Sequence, residues 1–221
     1  MSEWTHKFYR GLVSVVKKAD RLTNYKIGDL VRRQLNANTP EYWDRYLAKK
    51  GETWRSFTYD FLLQELPQDR PFSLLDIGCA LGDGCAFLRK NFPNGDIYGA
   101  DLSRVGVEKA KEKSGSDKYF CLDIARQDPP RMYDYITLIH LLEHFDDPFP
   151  IIDKCLKSVK EAVILNTPYG GEFEDPRLYW KGEHRYLFNE KTFQNYNCTV
   201  LKVTDFIEAV GTKHIYYKIT P

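Results

Sequence analysis

The 221-residue sequence has no run approaching eighteen apolar residues, so no membrane-spanning helix is expected, and no signal-peptide pattern opens it. It has no surplus of charge: 32 Lys and Arg face 31 Asp and Glu, for a net +1. That balance argues against a nucleic-acid binder working by bulk electrostatics. Internal repeats and low-complexity tracts are missing as well, which sets solenoids and biased linkers aside. Cysteine is sparse and odd in number (Cys79, Cys85, Cys121, Cys155, Cys198), and no pair has the spacing of metal ligands. Three of the five lie in or beside apolar runs, so reduced, buried thiols in a cytoplasmic protein are the expectation. The length suffices for one sizeable domain and an appendage. One asymmetry stands out: residues 1–50 carry eleven Lys/Arg against five Asp/Glu, a net +6, which leaves the remainder at −5.

What is present centres on Leu74-Leu75-Asp76-Ile77-Gly78-Cys79-Ala80-Leu81-Gly82-Asp83-Gly84. Physically this is a buried strand that ends in a glycine-lined turn, with Asp83 opening a helix. Doubly wound α/β sheets make nucleotide sites in this way. Glycines there let backbone N–H groups approach a ligand with no Cβ between. Three further apolar runs end in a polar residue: 96–100 before Asp101, 119–122 before Asp123, and 135–139 before His140. In open parallel sheets ligands lie at the carboxyl edge of the strands, and an acid about twenty residues past the loop accepts from ribose hydroxyls. Asp101 follows Gly82 by nineteen residues.

Around this core the pattern is mostly helical before and irregular after. Residues 3–35 read as two amphipathic helices, one carrying Trp4, Phe8 and Leu12, the other Ile27, Leu30 and Leu35. Thr39 is a good N-cap with Pro40 at the first helical position, which predicts a helix ending near Gly51. Another helix is expected over 53–66. Strand and helix then alternate to about Pro168, implying parallel strands. A fifth strand is expected over 162–165. Residues 167–189 form a long stretch rich in glycine, proline and aromatics, which points to an ordered loop facing substrate. Two β-rich segments, 200–208 and 213–219, flank a short glycine-containing turn and read as an antiparallel hairpin.

These residues resemble the class I S-adenosylmethionine (SAM)-dependent methyltransferases. The resemblance rests on Leu75 to Gly82, on Gly99-Ala100-Asp101-Leu102-Ser103, on Cys121-Leu122-Asp123-Ile124, and on Tyr133 to Ile136 leading to Leu142-Glu143-His144-Phe145-Asp146-Asp147-Pro148. It covers roughly residues 70–170. It implies an α/β fold: a doubly wound, Rossmann-like sheet of seven strands with an antiparallel C-terminal hairpin. A helical N-terminal extension or lid (1–68) would precede the methyltransferase domain (69–221). It also implies site residues. Asp76, Gly78 and Gly82 would hold the methionine end of SAM. Asp101 would take the ribose diol, Leu102 would pack on adenine, and Asp123 would accept from the adenine amino group beside Ile124. The backbone at the end of the fourth strand, from Ile139, would lie beside the methionine amino group, and Arg55 would pair with the SAM carboxylate or stand as an exposed surface charge. Asp101 and Asp123 can equally cap the helices that follow them. One departure is Ala80 where the family has its middle glycine, tolerable if φ stays negative. Tyr42, Trp43 and Tyr46 read as core rather than cofactor cover.

His140-Leu141-Leu142-Glu143-His144 matches the zinc-protease pattern H-x-x-E-H, but that chemistry needs a regular helix and this segment directly follows a strand. In the family reading Glu143 and His144 face the methyl-transfer cleft, as in the similar ubiquinone-biosynthesis O-methyltransferases. His144 is then a general base, a ligand of a divalent ion together with Glu143, or a loop anchor. His184, in Glu183-His184-Arg185, is the second candidate base, or equally a loop anchor. The expected reaction is O-methylation of a small-molecule or sugar-like acceptor, since no Asn-Pro-Pro-Tyr-type tetrapeptide follows the fourth strand. A homodimer is compatible with the basic N-terminal helices; duplex nucleic acid and membrane are not the expected partners. Two alternatives stay open: a SAM-binding regulatory or scaffold protein without turnover, kept alive by Ala80, and a nicotinamide-dependent oxidoreductase.

Overall fold

From Phe72 onward, apolar runs with strand periodicity alternate with amphipathic segments, and the chain winds them into a sheet covered on both faces. The computed structural model describes residues 38–52, 58–171, 184–205 and 213–221. The helices expected over 3–35, and Arg55, lie outside these described residues.

Among them a 7-stranded sheet is formed by β1 (Phe72–Ile77), β2 (Gly95–Asp101), β3 (Tyr119–Cys121), β4 (Tyr133–Ile139), β5 (Val159–Pro168), β6 (Cys198–Val203) and β7 (His214–Ile219), in the order β3-β2-β1-β4-β5-β7-β6. β1 to β5 run parallel, and β7 pairs antiparallel with both β5 and β6. The order reverses beside β1, so a crevice opens at the carboxyl ends of β1 and β4. The expected antiparallel C-terminal pair is present as β6 and β7, with residues 206–212, the turn and the end of the first segment, outside the described residues.

Strand alternation divides the core. Leu75, Ile77, Ile136 and Val163 pack on one face with Ile151, Ile152 and Cys155. Leu74, Ile97, Tyr135 and Ile164 pack on the other with Leu62, Leu88 and Val107. The first face is covered by α5 (Phe149–Leu156), the second by α2 (Leu62–Glu65), α3 (Asp83–Asn91) and α4 (Arg104–Ser114). Cys79, Cys85 and Cys155 are buried free thiols as expected, whereas Cys121 is exposed and Cys198 half-buried. No helix among the described residues is long and apolar enough to cross a membrane.

The N-cap at Thr39 forms as expected, its hydroxyl accepting from Tyr42 N at 3.2 Å, and opens α1 (Pro40–Ala48). Two polar clamps fix α1 to α4. Oδ1 of Asp44 accepts from Ser103 Oγ at 2.5 Å and from Val105 N at 3.2 Å. Lys109 Nζ donates to the carbonyls of Leu47, Ala48 and Lys50 at 3.0, 2.8 and 3.1 Å, occupying the C-terminal carbonyls that a helix leaves unbonded. Of the helix expected over 53–66, residues 53–57 lie outside the described residues. Within its described part only Leu62–Glu65 is α-helical, preceded by bonds three residues back onto Tyr59, Asp60 and Phe61. Tertiary packing overrides propensity here, because Tyr59 is drawn inward onto β1.

Candidate active site

The carboxyl ends of β1, β2 and β4, with α1 across them, enclose a cleft of about 620 Å³, within the usual range for small-molecule sites. Its floor is the loop after β1. Gly78 and Cys79 both donate to the carbonyl of Ala100, at 2.7 and 3.0 Å, which ties the loop to β2. Gly78 has φ +85° and Gly82 φ +77°, the left-handed region that favours glycine. Ala80 has φ +49°, so the condition of a negative φ, under which alanine sits there without strain, is not met. The conformation is set by its N–H, which turns toward β2 and donates to Asp101 Oδ2 at 2.8 Å.

Asp101 closes this arrangement, its Oδ1 accepting from Ser103 N at 2.8 Å. Burial pushes its carboxyl above the ordinary range, although the bonds from Ser103 and Ala80 pull it back. Each oxygen has taken one backbone donor and keeps a second lone pair for a ligand. Leu102, Leu122, Asp123 and Ile124 continue the wall. Oδ1 of Asp123 also accepts from Ala125 N at 3.1 Å, closing a turn; no helix follows it, so the capping alternative does not apply to Asp123.

Asp76 is placed differently from the reading as a direct cofactor contact. It is fully buried behind the loop and is not part of the cleft wall. Oδ2 accepts from Tyr59 OH at 2.9 Å and Oδ1 from Thr137 Oγ1 at 2.8 Å. Burial pushes its pKa up to about 6, against the lowering effect of the Thr137, Tyr59 and Cys85 hydrogen bonds. Gly82 likewise lies off the wall, as the N-cap of α3, where an added Cβ would come within 2.8 Å of Tyr119 OH. Asp83 and Gly84 face the cleft instead. Asp76 and Gly82 shape the loop from behind.

The opposite wall comes from the end of β4. Ile139, His140 and Leu141 line it, followed by a 3₁₀ turn over Leu142–His144. His140 and His144 thus share no regular α-helix, which removes the protease geometry. Nδ1 of His140 lies 3.2 Å from Glu143 Oε1. Burial alone would raise the Glu143 carboxyl, but the hydrogen bond with His140 and the nearness of His144, His140 and His184 hold it down at about 2.

His184 reaches the same place from beyond β5. Arg185 and Tyr186 N both donate to the carbonyl of Glu143, at 2.6 and 3.2 Å, and Arg185 pairs with Asp146 at 2.8 Å. The rings of His144 and His184 meet edge to face, centroids 5.2 Å apart. Trp43 meets the His144 ring in the same manner at 5.0 Å, and Asn38 Nδ2 donates to the His144 carbonyl at 2.9 Å. Trp43 and Tyr46 therefore line the cleft and are not core, as the sequence reading had them; Tyr46 is 40% exposed. Their helix is turned by the Asp44 and Lys109 clamps, which local periodicity does not reveal. Tyr59 and Asp44 carried no signal in the sequence. Thr137 did, as a hydroxyl inside an apolar strand, in register with Asp76.

Residues 43–202 match the family described as "Methyltransferase domain". Curated relatives include malonyl-[acyl-carrier protein] O-methyltransferase of Priestia megaterium, 31% identical over 111 residues (48% of this chain, 40% of the relative). Ubiquinone biosynthesis O-methyltransferase of Aliivibrio fischeri is 29% identical over 102 residues, 42% of this chain and 43% of the relative. The chain thus spans about half the length of the curated relatives it matches. Among solved structures, magnesium protoporphyrin IX methyltransferase from Synechocystis, with bound S-adenosylhomocysteine, superposes with a TM-score of 0.59 at 17% identity, covering 88% of this chain and 100% of that one. The family match sets the nicotinamide-dependent oxidoreductase reading aside. The chain belongs to the methyltransferase-domain family, with the Rossmann-like fold of the class I SAM-dependent methyltransferases.

Proposed function

We propose that this chain transfers the methyl group of SAM to an oxygen of a small-molecule acceptor. Gly78, Ala80, Asp101, Leu102, Asp123, Ile124 and Ile139 take the cofactor, with the 2′- and 3′-hydroxyls donating to the second lone pairs of Asp101. In the reaction the acceptor oxygen attacks the methyl carbon in line, the carbon–sulfur bond breaks with its electron pair to sulfur, and the hydroxyl proton is lost. S-adenosylhomocysteine and a methyl ether result, or a methyl ester where the acceptor is an ionised carboxylate with no proton to lose. Such a step gains most from holding the two partners in line and excluding water. Trp43 and Tyr46 on α1 support this reading as the cover of the cleft.

The observation that carries it is the meeting of His144 and His184, from two separate loops, inside the cleft that also holds Asp101. Imidazoles so placed act on the acceptor's hydroxyl, as proton acceptor or through a bound ion. The test follows S-adenosylhomocysteine formation from SAM with a panel of hydroxyl and carboxylate small molecules. His144→Ala and His184→Ala should each lower turnover by roughly 10²–10⁴ with SAM affinity nearly unchanged. Full turnover in both variants overturns the assignment.

A further inference from the structure

Glu143 is 1% exposed, yet only one of its carboxylate oxygens is used. His140 holds Oε1, whereas Oε2 is buried with no hydrogen-bond partner among the described residues. A half-satisfied buried carboxylate is costly, so such a position calls for a partner beyond the described residues, a role that a bound cation fills. A carboxylate oxygen of Glu143 and one ring nitrogen each of His144 and His184 lie within 4.8 Å of one another. The backbone builds this cluster: the 3₁₀ turn places Glu143 and His144 side by side, and Arg185 and Tyr186, bonded to the Glu143 carbonyl, bring His184 opposite.

We propose that Glu143, His144 and His184 bind a divalent transition cation at the acceptor end of the cleft. Two imidazoles with one carboxylate suit zinc, manganese, iron or cobalt, whereas magnesium and calcium prefer all-oxygen sets. Metal–ligand bonds of about 2.0–2.2 Å separate neighbouring ligand atoms by roughly 3–3.5 Å, so closing on the ion requires about an ångström of side-chain rotation. His140, bonded to the other carboxylate oxygen, is a positioning residue that orients Glu143 toward the ion. Three protein ligands leave coordination positions open. In that use the proposal rests on the methyl-transfer reading: an acceptor hydroxyl enters an open position, and the cation acidifies it so that its proton leaves without a free imidazole to take it.

The test uses the full chain, stripped with chelator and dialysed, without SAM or acceptor. Calorimetric titration with Zn²⁺ and the visible absorption of added Co²⁺ should show one equivalent bound. Glu143→Gln and His184→Ala should each weaken binding by a hundredfold or more, and His140→Ala by about ten- to hundredfold. Circular dichroism and SAM titration check that each variant is folded. If Glu143→Gln fails to fold, His184→Ala, at a half-buried position of the cleft lining, decides. Absence of binding to the parent chain overturns the proposal, as does equal binding by the variants. Methyl transfer that persists in a chain binding no cation overturns this site alone, and cation binding in a chain that methylates no acceptor overturns the functional reading alone.

Discussion

The hydroxyl of Tyr59 donates to Oδ2 of Asp76 at 2.9 Å, joining the segment before β1 to the buried acid that β1 carries beneath the cofactor loop. Thr137, opposite on β4, completes the set. The acid thereby braces the loop without itself lining the cleft.

This burial makes stability depend on pH. Asp76 titrates at about 6, above the ordinary carboxylate value, so the folded chain holds its proton more tightly than the unfolded chain does. Its contribution therefore favours folding at low pH, declines as pH rises from about 4 to about 6, and is level above that. Asp76→Asn lacks this titration. Denaturant unfolding of both chains across the window should show the variant gaining on the order of 3 kcal/mol relative to the parent as pH rises. A difference independent of pH would mean that Asp76 ionises as an ordinary carboxylate.

Asp101→Ala should weaken SAM binding by about 1.5–3 kcal/mol, measured by isothermal titration, because the ribose loses a charged acceptor. The variant should also unfold more easily, since Ala80 N and Ser103 N lose their partner together. An unchanged dissociation constant would place the ribose elsewhere.

Ala80, with φ +49°, occupies a conformation that costs an L-residue about 1–2 kcal/mol and glycine almost nothing. Glycine gives some of that back through chain entropy, about 0.5–1 kcal/mol. Ala80→Gly should accordingly raise the melting temperature slightly and change SAM affinity by less than about tenfold, or 1.4 kcal/mol. A much larger gain in affinity would mark the parent loop as a poor SAM binder.

Lys109→Met removes the donor that holds the carbonyls of Leu47, Ala48 and Lys50. Amide exchange in α1 should then speed up by about tenfold or more, with the sheet unaffected. Unaltered exchange in α1 would assign its anchoring to Asp44 alone.

Much of this molecule is legible along the chain, for local reasons. Apolar runs that stop at Asp101, Asp123 and His140 mark strand ends on one edge, because a strand buried on both faces must be apolar until it reaches the cleft. Gly78 and Gly82 announce the turn because only glycine takes a left-handed φ without strain. Thr39-Pro40 announces a helix start because the cap lies within a single turn. From such short-range signals the sheet, the cofactor edge and the family follow.

Only the tertiary structure decided which of these residues face a ligand. Asp76 is kept off the cleft wall because parallel register sets Thr137 across from it and Tyr59, which does line the cleft, takes its other oxygen. Ala80 takes a positive φ because its N–H is drawn to Asp101, twenty-one residues away. Trp43 faces His144 because Asp44 and Lys109 fix the rotation of α1, and its own helical period does not. His144 and His184, forty residues apart, become neighbours through two backbone bonds to the Glu143 carbonyl. Register and loop docking are long-range relations, settled by the packing of the whole sheet, and no local pattern encodes them.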